Sequence, residues 1–376
     1  MEKRTTNFRG FCSPNRYLQG PGIINSLKLF TDLFGSNIVF YIDKNIASFV
    51  SPKIKQIFDL NEINYEIIEF SGEITLASIE SNKDKLLSIM STADVLVAIG
   101  GGKTIDVTKV IAEAINVPII VVPSVASTDA PTSGLSIIYK ENGEHSHEIF
   151  LKKNPDFVIV DSEIIVKAPV RFFISGIGDA LATFFEAEAN QQSNYENVLS
   201  AEIGLSIGPS IAAKTIAKSC YETIIRDAEL AVEAVKLGRL TEAVENIIEA
   251  NTLLSGIGFE TNGTAAAHAI HDGLTSIKPS FPTTHGERVA FGLLCEFIIE
   301  NKEKSFIDSI LQFYRNIGLP TTLSQIGLEN LTNEQLLKIA DITFNNVIHA
   351  EPVVITKEVI INSILLADHI GKNFKD

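Results

Sequence analysis

The apolar run Asp94-Val-Leu-Val-Ala-Ile99 passes without a break into Gly100-Gly101-Gly102, and Lys103-Thr104-Ile-Asp106 then opens a helical pattern. A short continuous apolar run that ends in glycines reads as a buried strand turning tightly into a helix. The same alternation extends through the first part of the chain. Asn37 to Ile42, Tyr65 to Phe70 and Val117 to Val122 are further buried strands. Helical patterns over Asn45 to Leu60 and Leu76 to Met90 fill the intervals. Strands separated by helices imply βαβ units and a mostly parallel sheet.

Residues 133 to 151 depart from this pattern. Ser133 to Tyr139 is strand-like, Glu141-Asn142-Gly143 is a turn signal, and Glu144 to Leu151 returns, which makes a hairpin. Phe157 to Asp161 reads as the last strand of the first domain. From about Pro169 the spacing becomes helical, as over Leu240 to Leu254 and Asn333 to Asn346, with few strand candidates left. The boundary falls near residues 162 to 168. It divides the chain into an α/β domain over 1–165 and an all-helical domain over 166–376. No internal repeat is evident.

A chain of 376 residues is long enough for two cores. Its net charge of −15 disfavours nucleic acid, whose phosphates need clustered Lys and Arg. No apolar run approaches the length of a membrane span, and none follows Met1-Glu-Lys-Arg as in a secretory signal. The three cysteines, Cys12, Cys220 and Cys295, are dispersed and odd in number. A disulfide framework is therefore not expected, and a reducing cytoplasm fits.

The glycine loop lets a ligand approach the backbone, and the helix start beyond it favours phosphate. Gly100, Gly101 and Gly102 do not make Gly-x-Gly-x-x-Gly, and Val97 stands where a Walker A loop needs its first glycine. Pyrophosphate is the natural guest, although a tight strand-helix turn would use glycines too. Asp43, at the end of an early strand, is placed to take ribose hydroxyls and to repel a 2′-phosphate, favouring NAD over NADP. It can equally cap the next helix. Ser124-Val125-Ala126-Ser127-Thr128 offers hydroxyls and backbone donors at the same edge.

His268 and His271 lie three residues apart in an alanine-rich run, so a helix puts them on one face. His285 arrives after a Pro-containing connection, just before the apolar pattern Val289 to Ile299. Imidazole is a common metal ligand, and two helices carrying histidines to one cleft would build a metal site. Asp179, after Ser175-Gly-Ile-Gly178, reads as an early-turn aspartate near a helix start.

Taken together, these segments resemble the glycerol dehydrogenases of the iron-containing (group III) alcohol dehydrogenase superfamily. The matching stretches are Gly100 to Thr104 with Asp106, Pro123 to Ser133, Lys153-Asn-Pro-Asp156, Ala168 to Arg171, Gly176 to Thr183, Gly258-Phe-Glu260, His268-Ala-Ile-His271 and His285-Gly-Glu287. They fall in the family's order over most of the chain. Ser127-Thr-Asp-Ala-Pro-Thr-Ser133 is the stretch specific to glycerol dehydrogenases. The resemblance implies a dehydroquinate synthase-like α/β domain, a helical domain, and NAD and a divalent metal in the cleft between them. It implies Asp179, His268 and His285 as metal ligands, with His271 in support or relaying a proton. It implies Asp129 at a substrate hydroxyl. Asp43, Gly102, Lys103, Thr104, Asp106, Ser124, Val125, Ala126, Ser127, Ser133, Leu135 and Tyr139 would line NAD. Ser124 stands where threonine is common in such enzymes, which keeps the hydroxyl.

A carboxylate with two imidazoles and no thiolate leaves an open coordination position, the catalytic pattern for zinc. Iron accepts the same donors, and the resemblance favours zinc. It further implies oxidation of the secondary hydroxyl of glycerol, or of related vicinal diols, by metal-assisted hydride transfer, in a homo-oligomer, an octamer by analogy. Another polyol or hydroxy-acid dehydrogenase, or a glycerol-1-phosphate dehydrogenase, is the alternative on the same fold. A phosphorylated substrate needs cations such as Lys278 or Arg288.

Overall fold

The computed structural model describes residues 8–59, 63–141 and 145–375. Ten strands lie among these: β1 (Phe8–Gly10), β2 (Tyr17–Gly20), β3 (Asn37–Asp43), β4 (Asn64–Phe70), β5 (Val95–Gly100), β6 (Ile119–Pro123), β7 (Leu135–Tyr139), β8 (His145–Phe150), β9 (Phe157–Asp161) and β10 (Ile207–Pro209). Six form one sheet in the order β2-β9-β6-β5-β3-β4, and every neighbouring pair is parallel. Alternate side chains serve two cores. Ile38, Phe40, Ile42, Val95, Val97 and Ile99 pack on one face, and Val39, Tyr41, Leu96 and Ala98 on the other. A strand buried on both faces must be apolar throughout, which is why these runs do not alternate in sequence.

From β3 the chain runs outward to β4, then returns to place β5 on the other side of β3. That reversal is a topological switch point, and ligands of open α/β sheets bind in the crevice beyond the strand ends there. Asp43 ends β3 and Gly100 ends β5, so both sit at its mouth. The helix after β3 spans Lys44–Phe58, and the next spans Leu76–Ile89 behind a Thr75/Ser78 capping box. The expected end of the first at Leu60 lies outside the described residues.

The hairpin is present as antiparallel β7 and β8, while Asn142 and Gly143 of its expected turn and Glu144, the expected start of its return, lie outside the described residues, as does the Met1 to Asn7 segment. Beyond Val170 the chain is helical apart from β10. This three-residue strand pairs in parallel with β1, so the start of the described chain packs on the helical part. The edge strand β2 is an addition to the sequence reading. Its four residues, Tyr17–Gly20, are too short for a periodic signal. Among the described residues no helix is long and apolar enough to cross a membrane.

Two local readings change. His285 is the first residue of the helix His285–Ile299, because Thr284 and Glu287 form a capping box around it. Asp179 is not near a helix start. Its helix runs from Val170 to Ser193, so Asp179 lies in the interior. The glycines before it mark close approach rather than a cap. A Cβ on Gly176 would sit 2.0 Å from the Ala126 carbonyl, and one on Gly178 2.7 Å from the Gly286 carbonyl.

Candidate metal centre and cofactor cleft

Three helices meet beyond the carboxyl edge of the sheet. Val170–Ser193 brings Asp179, Ala266–Thr275 brings His268 and His271, and His285–Ile299 brings His285. Asp179 Oδ1 lies 3.1 Å from His285 Nε2 and 3.3 Å from His268 Nε2. Asp179, His268 and His285 each offer one donor atom, all within 4.8 Å of one another. Donors around a tetrahedral zinc, with bonds of about 2 Å, stand about 3.3 Å apart, so the set fits such an ion. Asp179 Oδ2 is buried with no hydrogen-bond partner, which leaves a carboxylate oxygen in need of a cation.

The surroundings set the charge of Asp179 and His268 and orient both. Burial alone would raise the Asp179 pKa, but His285 and His268 reverse that and hold it low. Burial alone would lower the His268 pKa, but Glu186 and Asp179 outweigh it and raise it. Glu186 Oε2 lies 2.6 Å from His268 Nδ1, and its Oε1 accepts the backbone N–H groups of Ala265 and His268. With the Nδ1 proton given to Glu186, it is Nε2 on the Asp179 side that a metal would deprotonate and use as donor. A carboxylate behind a ligating imidazole sets its tautomer in this way. Glu351 and Glu296 accept the N–H groups of Ala266 and Ala267. Three buried carboxylates thus serve the start of this helix, which has no side-chain cap of its own.

His271 lies beside the set rather than in it. Its ring is 4.2 Å from that of His285, and its Nδ1 meets Asp272 Oδ1 at 2.9 Å. Asn346 holds the other oxygen of Asp272 at 2.6 Å. Burial, then the neighbouring His285, pushes the His271 pKa down to about 3. Asp129, on the loop after β6, lies within electrostatic reach of the three donors. Burial, then the charge of Asp179, pushes its carboxyl up to about 7, against a hydrogen bond from Ser255 and the two histidines.

The cofactor side is built at the switch point. The helix Gly102–Ile115 starts behind Gly101 with no side-chain cap, so its first N–H groups are open. A Cβ on Gly100 would meet Thr104 at 2.7 Å and Asp43 at 2.9 Å, so a side chain there would push both away. Asp43 Oδ1 accepts the Asn45 N–H at 2.8 Å. It therefore caps a helix and stands beside the glycine loop at once. Ser124 is buried and its N–H reaches the Gly100 carbonyl at 2.9 Å, and Val125 lies 3.5 Å from where a Gly101 Cβ would stand.

The carbonyls of Ala126 and Ser127 are occupied by Asn251 and Ser175. Lys103 points to the surface, paired with Glu73. Asp106 is buried against Lys109 at 3.2 Å and accepts the Ile137 N–H. Lys109 in turn donates to Ser133 Oγ and the Leu135 carbonyl. Asp106 thus sets the position of Ser133 and Leu135, while the Tyr139 N–H bonds the Ile74 carbonyl. Lys278 is exposed and Arg288 half-buried.

Four residues with clear work here were given no role by sequence: Glu186, Ser255, Lys109 and Glu260. Glu260 accepts the Gly134 N–H at 2.6 Å and so ties the hairpin base to the helical part. Glu186 did leave a signal. Asp179, Thr183, Glu186 and Asn190 repeat at intervals of four, three and four along one side of their helix, and all four are buried. Such a polar stripe on a core face marks a site.

A switch-point α/β crevice facing a buried aspartate and two histidines defines a metal- and NAD-dependent alcohol dehydrogenase. Comparison with known proteins agrees. Residues 14–162 match the family model "Iron-containing alcohol dehydrogenase". The chain is 41% identical to a glycerol dehydrogenase of Thermotoga maritima, over 96% of this chain and 98% of that protein. It is 34% identical to a glycolaldehyde reductase of Halobacterium salinarum, over 97% and 99%. The crystal structure of a probable glycerol dehydrogenase from Sinorhizobium meliloti superposes with a TM-score of 0.90 at 38% identity, covering 98% of this chain and all of that one. The chain belongs to the glycerol dehydrogenase family of the iron-containing alcohol dehydrogenases.

Proposed function

We propose that this protein oxidises the secondary hydroxyl of glycerol to dihydroxyacetone with NAD, and accepts related vicinal diols. The observation that carries the reading is the Asp129 carboxyl on the loop after β6, within electrostatic reach of Asp179, His268 and His285, which together form a three-donor set. Asp179, His268 and His285 would hold the metal, and zinc fits a set with one carboxylate, two imidazoles and no thiolate. The ion, when bound, supplies Lewis acidity that lowers the pKa of a substrate hydroxyl.

The chain's own residues do the rest. Glu186 keeps His268 in the ligating tautomer. Asp129 orients the second hydroxyl of the diol, and a carboxyl poised near neutral pH suits proton exchange with it. His271, neutral and wedged between His285 and Asp272, supports the His285 ring and can pass a proton outward. On the cofactor side, the open N–H groups at Gly101, Gly102, Lys103 and Thr104 receive the pyrophosphate, Asp43 takes the ribose hydroxyls, and Gly100 gives the backbone its close approach. Ser124 to Ser127, Ser133, Leu135 and Tyr139 form the remaining wall, with Asp106 behind it.

An octamer in the cytoplasm completes the reading. Exposed Phe8, Phe11, Ile203, Leu205 and Ile211 around the β1–β10 pair support burial against further copies. Three unpaired cysteines support a reducing compartment. Light scattering in solution tests the assembly.

A diol panel followed by NADH absorbance, with chelator and metal add-back, tests the activity. Glycerol and 1,2-propanediol should be oxidised, the rate should vanish with chelator, and zinc should restore it. Preference for glycerol 1-phosphate over glycerol would overturn the substrate assignment.

A further inference from the structure

The helix Glu242–Glu249 does not end at Glu249. It widens into a π-turn over Ala250–Leu254 and continues as Ser255–Asn262. The Ser255 N–H reaches back five residues to the Ala250 carbonyl. A π-turn inserts one residue into an α-helix, which rotates everything beyond it by about 100°. Such insertions are disfavoured on their own and persist where the surroundings use them.

Here the surroundings are the loop that carries Asp129. Asn251 donates to the Ala126 carbonyl at 3.0 Å and to the Phe173 carbonyl at 3.2 Å. The Thr252 carbonyl accepts the Thr132 hydroxyl at 2.8 Å. Thr132 N–H in turn bonds the Asp129 carbonyl at 3.1 Å, closing the turn on which Asp129 sits. Gly256 lets the helix press against this turn, since a Cβ there would lie 1.8 Å from Thr132 Oγ1. The first residue beyond the π-turn, Ser255, is fully buried and donates its hydroxyl to Asp129 Oδ2 at 2.8 Å. Thr183 Oγ1 stands 3.0 Å from Ser255 Oγ. Ser255 has one proton and gives it to Asp129 Oδ2, so the Thr183 hydroxyl donates to Ser255. Thr183 lies one helical turn from Asp179 on the same helix.

We infer that Ser255 is a positioning residue for substrate selection: aimed by the π-turn and backed by Thr183, it fixes the Asp129 carboxylate so that one oxygen stays committed to the protein and the other meets the second hydroxyl of a vicinal diol. The inference rests on the reading of Asp129 given above. Its physical content is pre-organisation. An Asp side chain free to rotate would bind the diol only in a fraction of its rotamers, and a fixed one loses no freedom on binding. Ser255 therefore acts on the diol through Asp129, and its hydroxyl bonds Asp129 and Thr183 rather than any of the three metal donors.

The test is a double-mutant cycle on the metal-loaded enzyme. Asp129→Asn should cut kcat/KM for glycerol and lower the ratio of 1,2-propanediol to 2-propanol oxidation. Ser255→Ala should lower the same quantities roughly tenfold, the size of one hydrogen bond to a charged group, with most of the loss in KM. The double variant should be no worse than Asp129→Asn alone, because Ser255 has then lost the group it acts on. Metal content and NADH affinity of Ser255→Ala should match the wild type within about twofold, which a general loosening of the helix would not permit. An unaffected Asp129→Asn enzyme would overturn the reading of Asp129 itself. A deleterious Asp129→Asn with an unaltered Ser255→Ala, or with losses that add in the double variant, would overturn the role of Ser255 and leave that of Asp129 intact.

Discussion

Asp179 and Glu186 stand seven residues apart on one face of a buried helix, and both reach the same imidazole. Asp179 Oδ1 lies 3.3 Å from His268 Nε2, and Glu186 Oε2 lies 2.6 Å from His268 Nδ1. The ring is clamped between two carboxylates of one rigid element. Seven residues is close to two turns, so a single helix supplies both groups without strain. One carboxylate stands where it would share a bound cation with the ring, and the other meets the ring nitrogen on the far side.

Glu186→Gln keeps the shape of that clamp and removes its charge. The amide still accepts the Ala265 and His268 N–H groups through its oxygen, but no longer strengthens His268 as a donor. Zinc affinity, measured by competition with a chromogenic chelator, should fall about 10- to 100-fold. Unchanged affinity would show that Glu186 only fastens the helix.

His268→Ala removes one of three donors and leaves Asp179 and His285 with an incomplete set. Metal content by elemental analysis and diol oxidation should be lost together. A metal-free His268→Ala enzyme that retained full activity would refute the assignment of the centre.

Asp43→Ser separates the two duties of that residue. Serine still caps the helix Lys44–Phe58, since its oxygen can accept the Asn45 N–H, but it brings no negative charge to repel a 2′-phosphate. The ratio of kcat/KM with NADP to that with NAD should rise about tenfold or more, with little change in thermal stability. A constant ratio would mean that the cofactor's ribose lies elsewhere.

Glu351→Gln bears on stability against pH. Burial, then the charge of Glu300, pushes the Glu351 carboxyl from its ordinary 4.5 up to about 8. The folded state thus favours the protonated form. Its contribution to stability is fully present below pH 4.5 and is lost as pH rises through 8. Glutamine imitates the protonated acid at every pH and keeps an oxygen for the Ala266 N–H. The variant should melt with the wild type near pH 5 and above it at pH 9. Equal melting temperatures at pH 9 would show that Glu351 ionises without cost.

Much of this molecule was written locally. The runs Asn37–Ile42 and Asp94–Ile99 declare buried strands because a strand covered on both faces has no polar side to show, and the glycines after Ile99 declare a backbone that something approaches closely. The histidines and the order of the family segments named the chemistry. What stayed out of reach was whatever depends on the meeting of distant segments. Asp179 read as an early-turn residue because glycines at 176 and 178 imitate a boundary, whereas they exist to let Ala126 and the Gly286 backbone come close. The short strands β1, β2 and β10 are specified by their partners and carry no periodicity of their own. Ser255 is an ordinary helical serine in sequence. Only a π-turn, held open by a loop more than a hundred residues earlier in the chain, turns its hydroxyl toward Asp129. Local periodicity fixes which face of an element is buried. Which polar group on that face finds which partner is settled by packing, because a buried hydrogen bond forms only where two segments are brought within about 3 Å.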